Sequence, residues 1–135
     1  VLVLRTEAGK DNRLPQSLSR PLADLLQAAR QRYGLELQAL TDRSGVTAIR
    51  SVPDCQEAEE AFYFRFTWDE DAVYIANLQV PRRLRGRGMG RQCVQWLSGH
   101  AARCGVPWLK VETCPGAAGF WKRLGFVEQA PMEDF

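Results

Sequence analysis

The chain has 135 residues, of which 45% are hydrophobic and 25% charged. These are the proportions of one folded domain spanning 1–135, and they exclude a disordered or low-complexity segment. No apolar run approaches the roughly 20 residues a helix needs to cross a bilayer, and a net charge of +2 singles out no partner by itself.

Val1-Leu2-Val3-Leu4 reads as a short strand that ends at Arg5. It lacks the basic leader and small-residue cleavage site of a signal peptide. A polar stretch with Gly9, Asn12 and Pro15 reads as loop. Leu22, Leu25, Leu26, Ala29 and Tyr33 then recur at helical spacing, with Ser19 and Pro21 suited to the start and Gly34 to the end. After Gly34 the period becomes two: Leu35, Leu37 and Ala39 alternate with polar residues. Asp42-Arg43-Ser44-Gly45 reads as a turn, and Val46 to Ile49 as the next strand. Pro53 to Glu60 is acidic and loop-like. Phe62 to Trp68 and Val73 to Val80 are strand-prone runs around Asp69-Glu70-Asp71, the pattern of an antiparallel hairpin. The stripe Phe62, Phe64, Phe66 and Trp68 suits the core face of a half-buried strand.

From there the order is β-α-β. A helix is expected from Met89 to Arg103, with an apolar stripe of Cys93, Leu97, Ala101 and Cys104 and with Gly105 and Pro107 at its end. Trp108 to Val111 reads as a strand, Ala117 to Leu124 as a short helix stopped by Gly125, and Phe126-Val127 as a last strand. Hairpins followed by a β-α-β unit give an α/β domain with a mixed sheet. No repeat or linker interrupts it.

The cysteines, Cys55, Cys93, Cys104 and Cys114, have no C-x-x-C spacing, so no metal site is expected. Eleven residues of helix hold Cys93 and Cys104 about 16 Å apart, too far for a disulfide. Reduced, mostly buried thiols fit a cytoplasmic compartment.

The most informative segment joins the second strand of the hairpin to the long helix. Arg82, Arg83, Arg85, Arg87 and Arg91 fall within it, and the charge balance of the remaining residues is acidic. Positive charge gathered at one place suits a site for an anion, not a surface that coats nucleic acid. Gly86, Gly88 and Gly90 let backbone approach a phosphate without Cβ obstruction. The following helix begins with N–H groups that lack intrahelical partners, at the positive end of its dipole. Such a turn suits a diphosphate. It is neither a G-x-G-x-x-G dinucleotide loop nor a P-loop, and on the local pattern alone a basic, solvated turn is the competing reading.

Three segments in order strengthen the anion reading. Arg85-Gly86-Arg87-Gly88-Met89-Gly90 matches R/Q-x-x-G-x-G/A. Ala76-Asn77-Leu78-Gln79-Val80-Pro81 precedes it as a strand. Ala117 to Phe126, ending Leu124-Gly125-Phe126, follows it. Together they resemble the core of the GNAT superfamily of N-acetyltransferases, over about 50 residues toward the C-terminal end; the N-terminal part is similar only in its order of elements, with one helix where the family usually has two. The resemblance implies a mixed, mainly antiparallel central sheet flanked by helices. It implies a wedge between the family's fourth and fifth strands that takes the pantetheine arm of acetyl-coenzyme A as co-substrate. The arm would meet the Leu78-Gln79-Val80 backbone, the diphosphate would rest on the amides from Gly86 to Arg91, and Phe120 would border the coenzyme. An amine acceptor, a small molecule or a protein, would attack the thioester directly in a ternary complex. Neither a nucleic acid nor a membrane is implied as partner, and a monomer and a homodimer both remain open.

The chain departs from the family's acid. Where many members carry an Asn and, seven residues later, a Tyr, this sequence has Cys114 and Trp121. Indole donates a hydrogen bond but does not ionise as an acid, so Trp121 is read either as a group at the thioester sulfur or as packing. Glu112, at the end of the fifth family strand, is the candidate general base, against the reading of an exposed strand-end carboxylate. Cys114 as nucleophile and His100 as base are both disfavoured, and Glu57, Glu59 and Glu60 read as a solvated acidic loop. An acyltransferase is thus expected, with a catalytically silent acyl-coenzyme A-binding module on the same fold as the alternative.

Overall fold

In the computed structural model the described residues are 1–7, 19–52, 58–113 and 116–129. One seven-stranded sheet organises them. Its strands are β1 (Leu2–Arg5), β2 (Leu37–Thr41), β3 (Val46–Ser51), β4 (Tyr63–Trp68), β5 (Ala72–Gln79), β6 (Trp108–Val111) and β7 (Val127–Glu128), in the spatial order β2-β3-β4-β5-β6-β1-β7. All neighbours are antiparallel except β5 and β6. Three helices accompany the sheet, α1 (Ser19–Tyr33), α2 (Met89–Arg103) and α3 (Ala118–Arg123). This is the mixed, mainly antiparallel arrangement that the resemblance implies.

Local chemistry accounts for the element ends. Gly34 closes α1 at φ +66°, and its N–H donates to the Arg30 carbonyl. The Leu35 N–H still reaches back to Ala29. Leu35 is therefore a buried part of the helix cap, and β2 starts at Leu37, two residues after the start expected from alternation. In the β2–β3 turn the Asp42 carboxylate accepts from the Ser44 N–H at 2.8 Å and the Ser44 hydroxyl at 2.6 Å. The hydroxyl bond foremost, then the Val46 N–H, lowers the Asp42 pKa. Gly45 follows at φ +91°, where a Cβ would stand 3.0 Å from the Trp68 carbonyl oxygen.

The core lies between the sheet and the pair α1 and α2. Phe62, Phe64 and Phe66 are buried there with Ile49, Val73, Leu97 and Leu109; each such side chain contributes roughly 1.5–3 kcal/mol by leaving water. The stripe Cys93, Leu97, Ala101 and Cys104 of α2 is buried as its spacing requires. Burial pushes the Cys93 thiol up to about 12 and raises that of Cys104. The Trp96 indole N–H donates to the Pro21 carbonyl at 2.9 Å, and the Tyr33 hydroxyl meets the Gln92 side chain at 3.1 Å, tying α2 to α1.

Two features of the sheet matter for function. First, β1 is threaded between β6 and β7, and Thr6 at its end is bonded to Val106 and Pro107. The chain's first strand therefore braces the C-terminal part of the sheet, and the strand that leads into the glycine loop, β5, stands fourth from the β2 edge. Second, β5 pairs with β6 only from Ala72 to Ile75, whereas its pairing with β4 continues to Gln79. The register shifts between Arg65 and Phe66, leaving Ala76 as an extra residue on β5. Such a bulge bends the strand, and it falls where β6 stops following. A wedge opens beside Ala76 to Gln79.

Candidate functional site

A cavity of about 560 Å3 occupies this wedge and extends over the glycine loop. Leu78 of β5 and Val80 just after it form one wall, Phe120 and Trp121 of α3 another. Gly86, Gly88, Met89 and Gly90 line the far end, with Arg85 and Arg91 beside them.

The loop is anchored from below. Pro81 and Leu84 are buried, and Leu84 lies in a single 3-10 turn, Arg82–Leu84. Arg82 and Arg83 bind Glu59 at 3.2 Å and Glu60 at 3.6 Å. Two of the five clustered arginines are thus neutralised, and these two acidic residues, read from sequence as merely solvated, hold the base of the loop. The Arg85 Nε–H donates to the Val80 carbonyl at 3.2 Å, bracing the exit of β5 against the loop. Gly86 and Gly88 adopt φ +81° and +84°, and a Cβ on either would meet open space. Both glycines line the cavity, and a side chain at either would not meet protein within 4 Å. Gly90 differs: its Cβ would stand 3.0 Å from Phe120 Cζ, so the missing side chain lets the Phe120 ring lie against α2.

Helix α2 starts at Gly88, and its first intrahelical bond runs from the Gln92 N–H to the Gly88 carbonyl at 3.0 Å. The N–H groups of Met89, Gly90 and Arg91 precede that bond and have no intrahelical acceptor. Among the described residues no carboxylate forms an ion pair with Arg85, Arg87 or Arg91. Unpaired amides, two open glycine positions and uncompensated guanidinia make a donor set suited to a diphosphate, and the walls of Leu78, Val80 and Phe120 suit an extended, largely apolar arm.

The cavity brings together Leu78, Val80, Arg85, Gly86, Gly88, Met89, Gly90, Arg91, Phe120 and Trp121, all candidates from the sequence. Three other candidates do not line it. Arg87 is exposed on the outer side of the loop. The Gln79 side chain turns to the Ala61 carbonyl, donating at 3.0 Å. Glu112 is exposed at the end of β6. Leu84, Ala117, Arg123 and Leu124 line the cavity without having been singled out. Arg123 and Leu124 follow Trp121 by two and three residues, and the helical turn that places them there was the available signal.

Trp121 has two environments. It is 6% exposed, with its ring edge-on to Phe120 at 5.0 Å and to Phe126 at 5.3 Å, and it also faces the cavity. Cys114 lies outside the described residues. His100 is buried near the other end of α2, its ring 5.3 Å from Trp68 and stacked on Trp96 at 6.1 Å, and it does not line the cavity. Among the described residues no group of three His, Cys, Asp or Glu is placed to hold a metal ion, and no helix is long and apolar enough to cross a membrane.

Comparison with known proteins agrees with this geometry. The family model described as Acetyltransferase (GNAT) family matches residues 45–126, from the β2–β3 turn to Phe126. No curated protein matches the chain. Among solved structures, an integron cassette protein from the mobile metagenome of V. cholerae is 18% identical over 98% of this chain and 88% of its own, with a TM-score of 0.52. That likeness concerns the fold. A tetramutant of the BH1408 protein from Bacillus halodurans is 19% identical over 81% of this chain and 70% of its own, with a TM-score of 0.43.

Proposed function

Since the chain belongs to the GNAT acetyltransferase family, a family of acyl transfer, we propose that it is an N-acetyltransferase that takes acetyl-coenzyme A as acyl donor and an amine as acceptor. One observation carries the reading: a single cavity runs from Leu78 and Val80 to Gly86 and Gly88 of the glycine loop. It joins a slot for an extended arm to a cradle for a diphosphate.

Each residue has a physical role in this reading. The amides from Gly86 to Arg91, with Arg85 and Arg91, hold the diphosphate. The backbone at Leu78 of β5 and at Val80 just after it supplies hydrogen bonds to the arm, and Phe120 packs against it. Bound coenzyme would supply a thioester carbonyl at the apex of the wedge. A backbone N–H of β5 polarises that carbonyl, which lowers the barrier where negative charge develops. Glu112, exposed at the end of β6 and outside the cavity lining, would take the proton an ammonium acceptor must lose before it attacks. As the C–N bond forms and the C–S bond breaks, the departing thiolate gains a proton from water. Trp121 shelters the sulfur and offers an indole N–H. A thiol of pKa about 8.5 leaves readily near neutral pH, so a dedicated acid is not essential. Most of the acceleration comes from holding two substrates together.

The burial of Trp121 between Phe120 and Phe126 favours a second reading, a silent acyl-coenzyme A-binding module, in which the indole only packs. Thiol release from acetyl-coenzyme A, measured with a panel of amines, separates the two. Amine-dependent release supports the transferase; tight binding without release supports the module. A hundredfold excess of ligand over Kd stabilises a fold by about 2.7 kcal/mol, so an unchanged melting temperature under saturating acetyl-coenzyme A would sink both.

A further inference from the structure

The sheet has a second face. Alternate residues of its strands stay out of the core cluster, and the strand register fixes how they are arranged. Arg5 of β1 stands opposite Trp108 of β6, Lys110 of β6 beside Tyr74 of β5, and Arg50 of β3 opposite Tyr63 of β4, two residues from Arg65. Each step from Arg5 to Lys110, Arg65 and Arg50 moves toward β2 and along the strands in one direction. Strands about 4.8 Å apart, rising about 3.3 Å per residue, put successive cations roughly 8–12 Å from one another. The four make a diagonal stripe across five strands.

Two observations distinguish this stripe from an ordinary solvated surface. First, its charge is uncompensated. Among the described residues none of the four cations has a carboxylate within ion-pair distance, and no position of β1 to β6 on this face is Asp or Glu. Asp42 and Asp69 to Asp71 stand in turns to one side of the diagonal, and Glu112 past the end of β6 on the other. Second, charge is joined to aromatic rings. The Arg5 guanidinium lies 5.4 Å from the centre of the Trp108 ring and the Lys110 ammonium 5.8 Å from that of Tyr74, which is 45% exposed. Such contacts hold the cations along the sheet instead of out in solvent.

We propose that this face docks single-stranded nucleic acid, its four cations following the phosphates and Trp108, Tyr74 and Tyr63 meeting unstacked bases. Bases stack on aromatic rings and on guanidinium planes alike, with little regard to sequence. A face five strands across is about 19 Å wide, too broad for a duplex major groove of about 12 Å, so a flexible single strand fits and a double helix does not. Four like charges also repel a second copy of the same face. None of these residues lines the cavity assigned to the coenzyme, so the inference stands apart from that reading. The four cations are scattered from residue 5 to residue 110, and only the fold gathers them.

The test is fluorescence anisotropy of a labelled oligothymidylate of about 12 nucleotides, within the span such platforms cover, titrated with the whole protein at several salt concentrations. The logarithm of the binding constant is expected to fall against that of salt with a slope of about −3, four phosphates contributing about 0.7 each. Arg50→Gln combined with Arg65→Gln should about halve that slope. Tyr74→Ser should weaken binding about tenfold with the slope unchanged, the loss of one stacked base; Tyr74→Phe, which keeps the ring, should bind as the wild type does. No binding at about 50 mM salt, where such contacts are strong, would overturn the inference. Equal affinity for a duplex of the same length or for polyglutamate would overturn it too, because charge alone would then account for the contact. Binding lost in Arg87→Gln but kept in the double variant would also overturn it and move the strand to the glycine loop.

Discussion

The two sides of the wedge are built by different means. From Leu78 to Leu124, backbone does most of the shaping: glycines at positive φ, a helix start with unpaired amides, a 3-10 turn, and a bulge that frees the edge of β5. From Leu37 to Trp68, side chains shape an antiparallel meander whose inner face is Phe64, Phe66 and Ile49. Backbone geometry of the first kind needs particular residues at particular places, so it leaves a signature. A half-buried strand accepts many apolar residues on one face and many polar ones on the other, so an acceptor surface on that side leaves none. Perturbing each side in turn tests this contrast.

The largest effect is expected at Gly88. Gly88 lines the cavity, and a Cβ there would meet nothing within 4 Å, so Gly88→Glu brings a carboxylate to the anion cradle. Coenzyme affinity should fall by about a hundredfold or more, the cost of a repelled and displaced charge. The positive φ adds roughly 1–2 kcal/mol of backbone strain for a residue with a Cβ. Gly88→Asn, which tolerates that conformation, serves as the control for folding. Titration with acetyl-coenzyme A decides it: retained affinity in Gly88→Glu would mean that the loop does not carry the diphosphate.

Next comes Glu112→Gln. A positioned base is worth about a hundredfold or more in rate, so kcat/KM for amine acceptors should drop by at least about tenfold near pH 7, while the coenzyme Kd stays constant. The rate deficit should shrink as pH rises and the amine loses its proton unaided. A flat result across pH would assign Glu112 to the solvated end of β6 and send the search for a base to the acceptor side.

Trp121→Phe probes the overlap of site and core. It keeps an aromatic between Phe120 and Phe126 but removes the indole N–H. If that N–H meets the sulfur, kcat falls by about tenfold, one modest hydrogen bond, with little change in coenzyme Kd. If the ring only packs, the melting temperature falls and the kinetics do not.

The same contrast sets what the sequence disclosed. Met89–Arg103 and Trp108–Val111 were legible to the residue, because a glycine loop begins the helix and Gly105 with Pro107 ends it. The loop residues Arg85, Gly86, Gly88, Met89, Gly90 and Arg91 follow from the glycine and arginine pattern itself, whereas Leu78, Val80, Phe120 and Trp121 came from the resemblance. The position of β1 between β6 and β7 was not legible: alternation says that Val1 to Leu4 is a strand, but pairing partners are chosen by the tertiary fold. Arg123 and Leu124 were not singled out although they line the cavity within one helical turn of Trp121. Glu59 and Glu60 looked like solvated acids because their partners, Arg82 and Arg83, are more than twenty residues away.

The smallest effect is expected at the seam between the two sides, where His100 of α2 meets Trp68 of β4. His100 is 4% exposed, and burial, with the nearby Arg103 adding to it, lowers its pKa from the ordinary 6.5. Its Nε2 lies 3.8 Å from the Cys104 sulfur, and neither Nδ1 nor the Trp68 indole nitrogen has a protein hydrogen-bond partner among the described residues. The folded protein thus holds this imidazole neutral, whereas the unfolded chain takes up a proton near pH 6.5. Between the two pKa values the unfolded state binds more protons, so stability is fully present above about pH 6.5 and declines as pH falls toward the folded value. The melting temperature should therefore decrease on acidification from pH 7 to pH 5, and His100→Leu should flatten that part of the curve. Because the ring does not line the cavity, coenzyme affinity should not follow the same titration. If it did, the seam would transmit between the two sides of the wedge, and their separation into a backbone-built cradle and a side-chain-built face would fail.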